Sequence, residues 1–345
     1  MDTFKIEERG RAIQRGLDFI CLIADNRKNF RAFGPYFISC FLMIASTSRD
    51  LRLRRMARTK GRNLAFQWRK LNTALPRNAD ANIVSGHVIA GCAAEYFGLR
   101  HKILKQRVRK AAKRFPAEIL GFDPANEPPP NDLPETCSCG QDNVRGRKTC
   151  QKCKKRLKMY DRYQLWTEAL CVTYWAQRYG TMLGARYVDV LKWLPNMRPY
   201  RGPKNANYME FFYIVYAVTH LVYTLNGYGL YNLSSRWLPA EFSFLKASMK
   251  TAINRQDADM VGELLDTLKS FGLNGSNSTI RRGINYLLSQ QNSDGSWGNP
   301  NGEDLFERYH ATWAAIDGLR DYAWHGVRLS FPRLQPLLEQ LATSR

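Results

Sequence analysis

Four cysteines and three histidines carry much of the chemistry this sequence offers. Cys137-x-Cys139 is followed, after ten residues, by Cys150-x-x-Cys153. Thiolates in two short turns can close a tetrahedron around zinc, and so short a segment has no apolar core of its own without the metal. With all four positions filled by sulfur no place is left for a substrate, so the expected zinc is structural. Lys148, Lys152, Lys154, Lys155, Arg156 and Lys158 crowd the cluster. That charge suits phosphate contact, and it equally suits stabilising the thiolates themselves.

His87, His220 and His310 each lie in an apolar stretch. His220 shares a helical face with Tyr213, Tyr216, Tyr223 and Thr224, and His310 shares one with Ala314 and Asp317. Should the three converge, they would offer a second metal site, the identity of its ion left open. His220, His310 and Asp317 would then be the catalytic groups, with the carboxylate as metal support or as half of a proton-transfer pair. The ordinary alternative for each is a hydrogen-bonded core histidine. Asp189, alone in the apolar run Tyr187-Val188-Asp189-Val190-Leu191, is a candidate general acid whose pKa burial would raise. Pairing with Arg186 or Lys192 is its alternative. Asp257-Ala258-Asp259 opens a helix and reads as a capping sequence.

The elements that must position these residues are helices. Apolar spacing predicts helices over 4–25, 30–46, 50–75, 79–97 and 101–115, then over 161–179, 183–194, 206–225, 239–254, 257–271, 277–290, 305–323 and 332–343. No strand-like alternation of any length occurs, so the expected fold class is all-α. Residues 122–135 hold five prolines and form an extended connector into the cysteine cluster. Three regions follow: a basic helical region over 1–120, the connector with its metal-binding module over 121–160, and a helical region over 161–345.

The 345 residues are 44% hydrophobic and 12% aromatic, enough for a large core or a ligand-lined interior. The net charge of +22 is lopsided: residues 1–162 hold 34 Lys and Arg against 15 Asp and Glu, and the rest hold 18 against 15. The basic half could meet nucleic acid, anionic lipid or an acidic partner. The first fifteen residues are polar and charged, unlike a signal peptide, and the clustered cysteines suit a reducing compartment, so a cytoplasmic location is expected. The apolar stretch 33–46, interrupted at its start by Gly34 and Pro35, is too short for a membrane span and is expected to be a core helix. No phosphate-binding loop, dinucleotide-binding glycine pattern or nucleophile elbow is present.

Near the C-terminus, Arg282-Gly283, Tyr286-Leu287, Gln291 and Gly295-x-Trp297 stand in order. The run Asp294-Gly295-Ser296-Trp297-Gly298 is followed by Thr312-Trp313-Ala314-Ala315 and Leu319. This segment resembles the QW repeat of squalene and diterpene cyclases. The resemblance implies an α/α toroid, with inner and outer helices alternating around a central cavity. It also implies an enzyme acting on an apolar or isoprenoid-like small molecule, either a cyclase-like lyase or isomerase or a metal-dependent enzyme. Trp166, Trp175, Trp193, Phe211, Tyr213, Tyr216 and Trp313 would wall the cavity, with Tyr213, Tyr216 and Trp313 facing substrate. Protein prenyltransferase β subunits and lanthionine cyclases share that architecture and hold a catalytic zinc, but their ligand motifs do not occur here. The Asp-x-Asp-Asp acid motif of ordinary cyclases and the aspartate-rich motif of class I synthases are also missing. The cysteine module is similar to a zinc ribbon whose first knuckle is one residue short. An alternative function follows from it: a nucleic-acid-binding or adaptor protein that uses the zinc ribbon and the basic N-terminal half.

Overall fold

The helices begin where short polar side chains can satisfy free backbone N–H groups. Asn26, Asp50, Asp80, Asp161, Asn207, Asp257, Asn277 and Asp304 each accept from the first turn of the helix that follows. The computed structural model describes residues 4–343, and among them it is all-α, with helices and isolated β-bridges but no strand. The helices are α1 (Ile6–Asp25), α2 (Arg27–Thr47), α3 (Leu51–Leu71), α4 (Ala81–Tyr96), α5 (Lys102–Ala112), α6 (Arg162–Arg178), α7 (Tyr187–Leu191), α8 (Leu194–Met197), α9 (Tyr208–Asn226), α10 (Pro239–Asn254), α11 (Ala258–Ser270), α12 (Ser278–Ser289), α13 (Leu305–Leu319) and α14 (Gln335–Thr343).

Two expected helices differ in detail. Of the helix expected over 183–194 only α7, Tyr187–Leu191, forms; the separate α8 starts at Leu194, where Pro195 in its first turn has no N–H to carry the earlier helix onward. Conversely, α2 runs straight through Pro35 and reaches 21 residues. Pro35 lines a cavity, and the carbonyl it leaves without a donor belongs to Arg31, which is exposed at that cavity's mouth where water can reach it. By length and composition α2 is the one helix among the described residues that could cross a membrane, so length does not exclude a span; 61% of its apolar window is buried within the protein.

Six helices touch in a closed cycle: α2 packs on α4, α4 on α6, α6 on α9, α9 on α11, α11 on α13, and α13 returns to α2. The other long helices pack against its members. α3 covers α2 and α4, α5 covers α4, α10 covers α9 and α11, α12 covers α11 and α13, and α1 covers α13 and α2. One apolar core runs from Ala12 to Leu341, so the N-terminal helices share it with the C-terminal ones.

The 282–319 segment ties the two ends of the chain together. Gln291 donates to the carbonyls of Ala12, at 2.8 Å, and Gly295, at 2.9 Å. Trp297 is fully buried; its indole N–H donates to the Leu287 carbonyl at 2.8 Å and its backbone N–H to Thr312 Oγ1 at 3.0 Å. Gly295 has φ +87°, and a Cβ there would sit 2.4 Å from the Arg15 carbonyl oxygen, so both conformation and contact require glycine.

The tightest helix pair is α11 with α13. A Cβ on Gly262 would fall 2.4 Å from the Ala314 carbonyl carbon, and one on Gly318 would fall 2.9 Å from the Gly262 oxygen. With the backbones this close, side chains one turn away on either helix are pressed together. That contact builds the candidate site.

Candidate active site

Residues of all six of these helices, with others from α3, line an open cavity of about 1010 Å³. Its exposed lining residues, among them Arg31, Tyr36, Asn82 and Glu168, belong to the first halves of α2, α4 and α6. Met43, Trp175, Tyr223 and Asp317, from later halves, are buried. The mouth therefore lies at the N-terminal ends of these helices. Trp68 and Leu71 join it from the C-terminal end of α3.

On the α9–α11–α13 wall, His310 and His220 come together around a carboxylate that the sequence reading missed. His310 Nδ1 lies 2.9 and 3.0 Å from the two oxygens of Asp259. Its Nε2 is 3.9 Å from Glu263 Oε1. The other Glu263 oxygen accepts from Thr219 Oγ1 at 2.5 Å and stands 3.8 Å from His220 Nδ1. That Nδ1 is 2.9 Å from the Tyr216 carbonyl; since a carbonyl only accepts, the proton is on Nδ1. One ligand atom from each of His220, Glu263 and His310 falls within 4.8 Å of the others.

The protonation states follow from burial and charge. Burial alone would lower the His310 pKa, but the Asp259 carboxylate outweighs it and raises it to about 9. His220 falls to about 3, first through burial and then through the positive charge of His310. Burial, then the Asp259 charge, holds Glu263 well above the ordinary carboxylate range. Asp266, one turn further along α11, is raised by burial and by Asp317.

Several expected site residues sit elsewhere. Asp317 does not serve His310: seven residues on a helix separate the two by about 10 Å along the axis, and Asp317 bonds Arg320 at 2.6 Å. Arg320 is 2% exposed and also donates to Thr47 Oγ1 and Ser48 Oγ, so Asp317 neutralises a buried cation. His87 lines the cavity from α4 but stands outside the group of ligand atoms; its Nδ1 bonds the Ile83 carbonyl at 2.8 Å and its ring meets Trp68 edge-on. The three-histidine set thus gives way to His220, Glu263 and His310. Asp189 is no general acid in waiting: it pairs with Arg186 at 2.7 and 2.8 Å in the first turn of α7, and that bond, offset in part by burial, holds its pKa below the ordinary value. Tyr216 and Trp313 line the cavity, as does Trp175; Tyr213, Trp166, Trp193 and Phe211 do not. Asp257 caps α11 as expected, accepting from the Met260 N–H, while Asp259 is the partner of His310. The overlooked signal was a stripe: Asp259, Glu263 and Asp266 recur at i, i+4 and i+7 along a largely apolar α11.

The four cysteines converge as well. Cys137 and Cys153 sulfurs are 3.5 Å apart, Cys139 and Cys150 are 3.7 Å apart, and all four lie within 4.8 Å of one another. The edge of a zinc–thiolate tetrahedron is about 3.8 Å, so the cluster could hold a metal ion and is consistent with zinc. Antiparallel bridges Pro134–Met159 and Thr149–Arg156 close the module, which has its own small core of Cys137, Cys150 and Leu157. The backbone N–H of Cys153, more than any other group, holds the Cys150 thiol below its ordinary pKa.

No family model matches the chain, and no curated protein or solved structure matches it.

Proposed function

We propose that this protein is an enzyme built as an α/α toroid, acting on an apolar, isoprenoid-like small molecule bound inside the ring. Support for the toroid is the closed cycle of α2, α4, α6, α9, α11 and α13, together with the QW-like segment that fastens α1 to α13. The observation that carries the functional reading is the cavity itself. It is large, it opens at one end, and aromatic walls such as Trp68, Trp175, Tyr216 and Trp313 surround one polar cluster of two imidazoles and carboxylates. An apolar interior with a few convergent polar groups, their pKa values pushed apart, is what a small-molecule active site needs. The four-cysteine module is a structural zinc site, zinc-ribbon-like in its paired turns.

The prenyl alcohol farnesol tests the substrate class. Three tryptophans line the cavity, so its entry changes their fluorescence. Gly86 also lines the cavity, and a Cβ there meets nothing closer than 3.6 Å, so Gly86→Leu, checked by a cooperative thermal melt, is expected to fill the space. A saturable change that Gly86→Leu weakens supports the reading; no saturable change, or one indifferent to Gly86→Leu, overturns it.

A second reading rests on the module's surface, where Lys148, Lys152, Lys154, Lys155 and Arg156 are all exposed. In that reading the module grips nucleic-acid phosphates. Binding to single- or double-stranded RNA or DNA that falls steeply with salt, and that charge reversal at Lys154 and Lys155 weakens, supports it; binding indifferent to both removes it.

A further inference from the structure

We propose that His220, Glu263 and His310 form a mononuclear binding site for a divalent ion of the zinc or iron(II) class, separate from the four-cysteine module and open to the cavity. The proposal deepens the reading of the cavity as an active site, but its own evidence is the geometry of three side chains. Each is fixed from behind. Asp259 grips the Nδ1 of His310 with both oxygens, the Tyr216 carbonyl takes the Nδ1 of His220, and Thr219 holds one oxygen of Glu263. A carboxylate or carbonyl behind a ligating imidazole is the arrangement that fixes a ring for a metal and sharpens its remaining lone pair.

The gap in front of these groups has the right size. His310 Nε2 stands 3.9 Å from Glu263 Oε1, too far for a hydrogen bond. That is shorter than two metal–ligand bonds laid end to end, about 4.2 Å, so an ion can bridge the pair with small side-chain movements, and His220 would ligate through Nε2 because its Nδ1 is committed to the Tyr216 carbonyl. Burial adds the electrostatic reason: Glu263 is 4% exposed, and no lysine or arginine pairs with it in any described contact. With an ion bound, His310 would give up its Nε2 proton and the metal's charge would take that proton's place between the imidazoles and this carboxylate.

Two imidazoles and one carboxylate match zinc or non-haem iron(II), whereas calcium or magnesium would want oxygen ligands throughout. Three protein ligands leave coordination positions open on the cavity side, where the closed four-cysteine cluster leaves none. A bound ion would supply Lewis acidity, or an activated water or oxygen species, beside the aromatic walls.

The test is metal analysis of the full-length protein after chelation and reloading with zinc or, anaerobically, iron(II). A second ion per chain is expected, lost in His310→Ala and Glu263→Gln and kept in Cys150→Ser. Asp259→Asn touches no ligand atom, and it is expected to weaken the second ion roughly ten- to hundredfold while the thermal melt stays cooperative. Metal that depends on Cys150 alone, or a second ion indifferent to Asp259 and His310, overturns the proposal. A second ion in a protein that takes up no farnesol would sink the substrate reading and leave the metal site standing; farnesol uptake without a second ion would do the reverse.

Discussion

Asp259→Asn isolates the electrostatics of the candidate site. His310 Nδ1 faces both Asp259 oxygens at 2.9–3.0 Å, and this carboxylate is the strongest influence raising the imidazole pKa to about 9 from the ordinary 6.5. That gap corresponds to about 3 kcal/mol of interaction favouring the imidazolium. Because the folded pKa lies above the unfolded one, the stabilisation is complete below pH 6.5 and is lost as pH rises through about 9. In Asp259→Asn burial is left as the largest influence, and burial lowers a histidine pKa. The protein has five histidines, few enough to assign by single substitutions in a proton NMR titration of the chelator-treated protein. One resonance should titrate near pH 9 in the parent and below 6.5 in Asp259→Asn. Urea unfolding should show the parent's advantage over Asp259→Asn shrinking by about 2–3 kcal/mol between pH 6 and pH 10. A parent protein with no histidine titrating above pH 8, or a resonance that Asp259→Asn leaves unmoved, would refute the pairing and with it the fixed orientation of His310.

Three further substitutions probe the frame around the site. Gly262→Ala should cost at least about 3 kcal/mol by chemical denaturation, because the added methyl meets the Ala314 backbone at 2.4 Å and must part α11 from α13. Cys150→Ser should abolish metal binding by the module and expose residues 132–160 to proteolysis, while the main helical transition persists, since the module's core of Cys137, Cys150 and Leu157 is separate from the large one. Asp189→Ala should change stability by no more than about 1 kcal/mol and leave metal and farnesol binding intact, because its partner Arg186 is mostly exposed and the pair lies outside the cavity.

The helices were legible because their starts are written locally: Asp50, Asp80, Asp161 and Asn207 sit where a free N–H needs an acceptor. The cysteine cluster was legible for the same reason, its spacing being a local constraint. His220 and His310 stood out as polar residues in apolar helices, and they do meet. Their shared partner was not legible, because it comes from a third helix. Glu263 joins them only because Gly262 and Gly318 let α11 and α13 approach closely, a contact between residues far apart in the chain. Asp317 misled because a shared helical face ignores axial distance: two turns away, it meets Arg320 instead. Asp189 misled because its neighbours Tyr187, Val190 and Leu191 are indeed buried, yet the mostly exposed Arg186, three residues earlier, pairs with its half-buried carboxylate. Pro35 reads as a break in the sequence, and only the open cavity beside it shows why the helix tolerates it.

The most direct measurement is anomalous X-ray scattering at the zinc and iron edges from crystals of the metal-loaded protein. Two peaks per chain are expected, one among Cys137, Cys139, Cys150 and Cys153 and the other among His220, Glu263 and His310, facing the cavity. A single peak at the cysteines, with Glu263 and His310 hydrogen-bonded directly to each other and hydrocarbon packed where the cavity should be, would contradict the account.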